Sequence, residues 1–481
     1  MSKDSKLLKN TVFNVIYNLC NMLFPLITSM YISRILMREG IGNISYAQNI
    51  ASYFVTFAAL GLPTYGVREI AKARGSQLNT NKTFTELFLI NAVSTALASV
   101  IYCILIASSF HNSLDTGLTI CFGFSILFNF INIDWFYQGK EEYVYIACRS
   151  IIVKIISLLC TILFVKTKDD YLKYAIILVA ASGSNYIFNI FHVRKYVRLD
   201  FHDLKFKQHL TPLFVLALSI FLSTVYSKID ITMLGTMSTK AATGVYSNAH
   251  KIIDMIIVAC SAISAVFLPR LSYYYNNDKK EFTGLIDLGI RILSFVTLPV
   301  TAGLFILSSQ AVELLYGSDF SAASLTIRIF SILIIIKGFG NLLCYQLIIC
   351  TGNEKKRLPA YLAAAVINVV LNAVLIPRFN ENGAAVASVI SEITVNLYQF
   401  ICVKKIVDIP FPKKAIWQSV ISTAVMSAAV LLFISFTNLP MLAECILAVG
   451  IGAVTYLAVN LIMKNQFLFD CITKMKGKLS K

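Results

Sequence analysis

Fourteen apolar runs, separated by short polar gaps, fill this chain from Thr11 to Met463. A helix of about 20 apolar residues crosses the roughly 30 Å hydrocarbon core of a bilayer. Backbone amides find no water at that depth, so spanning segments of this kind satisfy them internally, as helices. The runs lie at 11–34, 41–62, 83–107, 116–137, 147–165, 171–193, 209–234, 241–267, 283–309, 322–350, 358–377, 382–403, 415–437 and 440–463. Hydrophobic residues make up 57% of the chain and charged ones only 14%, against about 25% charged in soluble domains. The expected fold is therefore an all-α polytopic membrane protein.

The basic residues are not spread evenly. The two tails, alternate gaps and the helix ends that border them hold 30 of the 42 Lys and Arg, and the intervening gaps hold 7. Retained loops favour Lys and Arg, so both termini are expected on the cytoplasmic side, as an even helix count also requires. This pattern accounts for the net charge of +17 through anionic phospholipids and leaves no call for nucleic acid. Lys3, Lys6 and Lys9 precede the first run in the manner of a signal peptide, but Asn14, Asn18, Asn21 and Pro25 interrupt it. No small-x-small cleavage site follows, so it reads as a retained first helix. The 11 cysteines form no Cys-x-x-Cys, and His111, His192, His202, His209 and His250 form no ligand-spaced pair. No disulfide, metal site or other cofactor is indicated.

The chain reads as one six-helix unit used twice. Gly42-Asn43-Ile44-Ser45-Tyr46-Ala47 opens the second run and Gly244-Val245-Tyr246-Ser247-Asn248-Ala249 the eighth. Leu62-Pro63 and Leu268-Pro269 close those runs, and Gln138-Gly139-Lys140-Glu141 and Thr351-Gly352-Asn353-Glu354 follow the fourth and tenth. Six is even, so both copies keep one orientation and form two parallel lobes. The expected division is an N-lobe at 1–193, a basic cytoplasmic linker at 194–208 lying on lipid, a C-lobe at 209–403, and two further helices with a basic tail at 404–481.

Ionisable groups within spans are costly and face a partner or a wet cavity. Lys228, Lys251, Arg291, Arg328 and Lys337 stand out, all in the expected C-lobe. Lys251 and Asp254 share a helix face, and Asp287 and Arg291 are spaced for a pair. Glu392 stands alone, and Arg328 and Lys337 have no acid nearby in sequence. Unpaired cations in a wet cavity would attract an anion, phosphate above all. Paired amides recur at Asn129/Asn132, Asn185/Asn189 and Asn368/Asn372, suited to interhelical hydrogen bonds or to sugars. Asp134 ends the fourth run beside Trp135, Phe136 and Tyr137, which read as interface anchors with the acid as a gate candidate. The acidic doublet Asp169-Asp170 lies in an outer gap and has no partner motif for catalysis, so an enzyme is not expected.

Several of these segments resemble polysaccharide repeat-unit flippases of the Wzx type, in the multidrug/oligosaccharidyl-lipid/polysaccharide (MOP) exporter superfamily. Ser33-Arg34-Ile35-Leu36 with Glu39-Gly40-Ile41-Gly42 resembles their first motif, except that Met37 stands where glycine is usual. Asp134-Trp-Phe-Tyr-Gln-Gly-Lys-Glu141 is similar to a second. Asp230-x4-Gly235 with Gly244-Val245-Tyr246, Leu268-Pro269-Arg270, Leu315-Tyr316-Gly317 and Asn368…Asn372…Ile376-Pro377…Gly383-Ala384-Ala385 complete the series. The resemblance covers residues 11 to about 405. It implies a V-shaped, MATE-like two-lobe fold that moves undecaprenyl-pyrophosphate-linked oligosaccharide across the bacterial cytoplasmic membrane by alternating access, for capsule, exopolysaccharide or O-antigen. It also implies a polysaccharide polymerase and glycosyltransferases as partners. Arg34, Lys228, Lys251, Arg291, Arg328 and Lys337 are then candidate anion contacts. Asp134, Asp230, Asp254 and Glu392 are gate or H+/Na+ coupling candidates. The alternatives are a peptidoglycan lipid-precursor flippase or a multidrug exporter of the same superfamily; surplus bases disfavour a cation exporter.

Overall fold

The computed structural model describes residues 3–107, 115–437, 439–470 and 473, with side chains from Phe13 onward apart from 14–16 and 18. Asn14, Asn18 and His111 thus lie outside what is described. Every regular element among the described residues is helical. In order these are α1 (Lys3–Ala59), α2 (Leu62–Ala73), α3 (Gln77–Ala107), α4 (Thr116–Phe128), α5 (Asp134–Gly139), α6 (Tyr143–Phe164), α7 (Tyr171–Val193), α8 (Lys207–Met237) and α9 (Lys240–Ala265). There follow α10 (Leu268–Asn277), α11 (Lys279–Ile306), α12 (Ser308–Tyr316), α13 (Ala323–Gly340), α14 (Leu347–Cys350), α15 (Arg357–Lys404), α16 (Lys413–Phe436) and α17 (Met441–Ile462).

Among the described residues, twelve helical stretches are long and apolar enough to cross a membrane. Two of them hold two crossings each, joined at non-helical residues: Met37 in α1 (φ 57°, ψ 178°) and Asn380 in α15 (φ 48°, ψ −127°). All fourteen expected spans therefore fall on helix. The order of elements repeats as well. Each copy has two crossings, a short helix opening with Leu-Pro, a long crossing, an interrupted crossing and two more. The short helices α2 and α10 carry proline in the first turn, where a missing amide costs nothing. The interruptions are a 3-10 turn at Asn129–Ile131 before α5 and a π-helical turn at Asn341–Gln346 before α14.

Met37 occupies backbone that only glycine adopts without strain, at a cost of about 1–3 kcal/mol for other residues. The one visible departure from the first flippase motif thus sits on the turn between two crossings. Met37→Gly is expected to stabilise the protein by about 1 kcal/mol, the relief of strain outweighing glycine's extra chain entropy. Thermal unfolding in detergent checks this; an unchanged or lower midpoint would show that the turn is not strained.

Packing divides the chain into residues 1–244 and 245–481. The first unit includes α8, which packs along α1, so by contact that helix belongs with the N-terminal helices. Its core gathers Leu62, Tyr65, Phe84, Leu87, Trp135, Phe136, Tyr137 and Leu213. Trp135, Phe136 and Tyr137 are at most 3% exposed. They are core residues and not the interface anchors their sequence position suggested, because α5 turns inward against α2. Gly66 and Gly139 allow this contact: a methyl group on either would lie within 2.7 Å of Trp135 or Ile70.

The repeat-related glycines meet each other. A methyl on Gly42 would lie 1.7 Å from the Lys240 carbonyl oxygen, and one on Gly244 would lie 2.0 Å from that of Arg38. Small residues at such crossings let two backbones touch.

The segment 194–208 is pinned to α3, not loosely solvated. The amides of Asp200 and Lys205 donate to Thr85 Oγ1 (3.0 Å) and Glu86 Oε1 (2.5 Å). His209 is buried between Glu86 (2.8 Å) and the Tyr65 hydroxyl (2.8 Å). The His202 amide and ring, both on Asp200, hold that carboxyl below its usual range, so this contact weakens as pH falls through the folded pKa.

In the second unit, Leu271, Phe282, Ile286, Ile290, Leu342, Leu347 and Ile348 form the corresponding core. Helices α16 and α17 pack on each other, and α16 on α11. The doublet Asp169-Asp170 is a turn device: Asp170 accepts from the amides of Lys166 and Thr167 and pairs with Lys173 at 2.7 Å.

Candidate functional site

Polar groups within the crossings collect in three places, two in the first unit and one in the second. The first lies between the second half of α1 and α8. Asn49 Nδ2 donates to Thr232 Oγ1 (2.8 Å) and to the Lys228 carbonyl (3.1 Å), and the Tyr53 hydroxyl meets Thr232 at 2.8 Å. Lys228 Nζ donates to Ser52 Oγ at 2.8 Å. No described carboxylate forms an ion pair with it. Asp230 is buried on the same helix but is two residues away and points elsewhere, as helical geometry demands. Lys240 closes this cluster, its ammonium 3.6 Å from the centre of the Tyr46 ring.

The second cluster joins α5, α6 and α7 and was missed by sequence reasoning. Arg149 lies two turns into α6 and is 7% exposed. Its Nη2 meets Asp134 Oδ1 at 2.9 Å, its Nε donates to Asn185 Oδ1 at 3.1 Å and its Nη1 to Asn189 Oδ1. Asn189 Nδ2 in turn donates to Asp134 at 2.6 Å, and the Tyr137 hydroxyl to the Asn189 carbonyl at 2.7 Å. Scored as a gap charge, Arg149 looked like part of the basic loop. The signal was available: Arg149 falls inside the run at 147–165. Lys154, on the same helix, donates to Asn21. The expectation that in-span cations belong to the C-lobe alone is thereby corrected. Arg149 pairs with Asp134, and the amides of Asn185 and the buried Asn189 complete a polar cluster that ties α5, α6 and α7 together.

The third cluster sits near the middle of α9, of the α13–α14 crossing and of the second half of α15. Lys337 Nζ pairs with Glu392 Oε1 at 3.1 Å, and Asp254 Oδ2 with His250 Nδ1 at 2.8 Å. Lys337 is also in electrostatic reach of Asp254. His250 stacks on Tyr246 and meets Phe330 edge-on, and the Tyr246 hydroxyl meets Ser388 at 3.0 Å. Lys251 donates to Asn248 Oδ1 at 3.2 Å. Two expectations are corrected here. Asp254 pairs with His250 one turn away and not with Lys251. Lys337 and Glu392, each without a local partner, are partners across helices. Below them, Gly340 starts the π-helical turn and admits Asn396, whose side chain would overlap any methyl at that position. Such turns often mark functional sites.

The remaining candidates have other surroundings. Arg291 pairs with Asp287 at 2.5 Å, as its spacing predicts, and also reaches Gln466. Arg328 Nε and Nη2 donate to Ser308 (2.8 Å) and Ser309 (3.2 Å), tying α13 to the start of α12. Arg34 is exposed, three residues before the break at Met37.

Charged clusters within membrane-length helices, in a chain whose described residues are all helical, mark a multi-pass membrane protein. The fold is similar to that of the lipid II flippase MurJ in its inward closed conformation: TM-score 0.68, 17% identity, 94% of this chain and 99% of that one. It is similar also to an inward-facing MATE family multidrug resistance transporter of the MOP superfamily: TM-score 0.60, 15% identity, 80% and 94%. The family model for polysaccharide biosynthesis protein matches residues 7–274, and that for lipid II flippase MurJ matches residues 186–449. The chain belongs to the polysaccharide biosynthesis protein family. Relatives include the Escherichia coli (strain K12) protein named "Putative O-antigen transporter", 22% identical over 80% of this chain and 94% of that protein. Another is the capsular polysaccharide biosynthesis protein CapF of Staphylococcus aureus, 22% identical over 83% and 100%.

Proposed function

We propose that this protein is a flippase that moves undecaprenyl-pyrophosphate-linked oligosaccharide units from the inner to the outer leaflet of the bacterial cytoplasmic membrane, with both termini cytoplasmic. The product would feed capsule, exopolysaccharide or O-antigen synthesis, with glycosyltransferases upstream and a polymerase downstream. The observation that carries the reading is the pair Lys228 and Lys251. Both are within crossings, and each is held by a neutral oxygen, Ser52 and Asn248 respectively. A cation there keeps its charge available for a diphosphate. Arg328, on two serine hydroxyls, meets the same condition, whereas Arg291 and Lys337 are weaker anion contacts because carboxylates already hold them. The coupling ion, H+ or Na+, would act through Asp254, Glu392 or Asp230, and alternating access would carry the headgroup across.

Lys228→Ala and Lys251→Ala should each lower surface polysaccharide by on the order of tenfold, the effect of removing one charged hydrogen bond, with membrane levels of the protein unchanged. Lipid-linked oligosaccharide should accumulate inside. Normal export in both variants would sink the anion-site reading. The MurJ family match supports a second reading, export of a peptidoglycan precursor. Growth of cells depleted of their lipid II flippase, restored by this protein, would favour it.

A further inference from the structure

Helices α6 and α7 leave a groove of about 510 Å3 between them on the first unit, within the roughly 300–1,000 Å3 of ligand pockets. Its walls are apolar: Phe188 and Phe191 are 55% and 63% exposed at membrane depth. Its basic end is built differently. The Tyr145 ring stacks on His192 with centroids 4.1 Å apart, and the exposed Lys195 follows one turn on. The Arg194 guanidinium folds back over the Phe191 ring at 5.7 Å. Arg149 lies in the floor, but its charge is already matched by Asp134. Lys195 and Glu142 are the charges in reach of His192. Of the cations that line the groove, Arg149 is matched by Asp134 and Lys195 is in no described ion pair, which leaves a single positive charge where the apolar walls end.

We infer that this groove binds one anionic phospholipid, its acyl chain along Phe188 and Phe191 and its phosphate at Lys195 and Arg194. Basic residues at the end of an interhelical pocket favour such headgroups. A single positive excess matches a singly charged phosphate better than the two or more charges of a pyrophosphate. The site is independent of what the protein transports.

The experiment is native mass spectrometry of the purified full-length protein titrated with phosphatidylglycerol and, separately, with phosphatidylcholine of the same chains. Phosphatidylglycerol should bind more tightly. Lys195→Ala should weaken it about fivefold, the usual attraction of one basic residue to an anionic surface, and Lys195→Arg should restore it. A photoactivatable phosphatidylglycerol should label α6 and α7. Equal binding of the two lipids, an unchanged Lys195→Ala variant, or displacement of phosphatidylglycerol by equimolar undecaprenyl phosphate would each overturn the assignment.

Discussion

Arg149→Ala is expected to destabilise the first unit by about 3–5 kcal/mol, the usual effect of removing one member of a buried ion pair. The residue serves Asp134, Asn185 and Asn189 at once. Its loss leaves the partly buried Asp134 carboxylate without its counter-charge and with Asn189 as its described side-chain donor. Arg149→Lys keeps the charge, but its three N–H groups radiate from one nitrogen and cannot span partners that Arg149 reaches from Nε, Nη1 and Nη2, so it should recover only part of the stability. Asp134→Asn combined with Arg149→Met removes both charges and should be less harmful than the two single changes added together. Thermal unfolding in detergent distinguishes these cases. Additive losses would show that the two residues do not act as a unit.

Lys337→Ala is expected to abolish export and lower stability, because it strands Glu392 at mid-depth in the membrane. The double variant Lys337→Ala/Glu392→Gln removes the stranded charge and should recover the folding loss. If Glu392 takes part in coupling, export stays lost while the unfolding midpoint returns. Recovery of both would mean that the pair only holds α13 to α15, and Glu392 would drop from the coupling candidates. His250 and Asp254 provide an internal comparison: they form an i,i+4 pair on one helix, so Asp254→Asn should leave α13 and α15 docked.

How much of this was legible beforehand differs by feature, and the differences have a cause. Spans are readable because lipid acts on each segment separately: length and apolarity suffice. The Asp287–Arg291 pair was likewise readable, since four residues on a helix share a face whatever surrounds them. The repeat of Gly42 and Gly244 was visible as a pattern, but that these two glycines lie on each other was not. Asp254 had two local candidates, Lys251 three residues before it and His250 four before it. Spacing could not choose between them, and only side-chain positions did. Trp135, Phe136 and Tyr137 were misplaced because their position at a helix end suits either interface or core. The inward turn of α5 settles the matter, and it depends on Gly66 and Gly139 in other contexts.

Sequence by itself determined that this chain is a fourteen-crossing helical membrane protein with its basic residues biased to alternate gaps, and that its motifs are those of polysaccharide flippases. Bilayer thickness and the cost of bare amides in lipid leave little else for such a chain to do. Tertiary structure alone decided which charges are matched between helices. Lys337 and Glu392 are 55 residues apart and Asp134 and Arg149 are 15 apart, beyond the reach of any one helix face. Their pairing depends on how helices rotate and pack, and that rotation is set by small residues and broken turns spread along the chain. What remains after pairing includes Lys228, Lys251 and Arg328 on neutral partners, the charge available to a substrate.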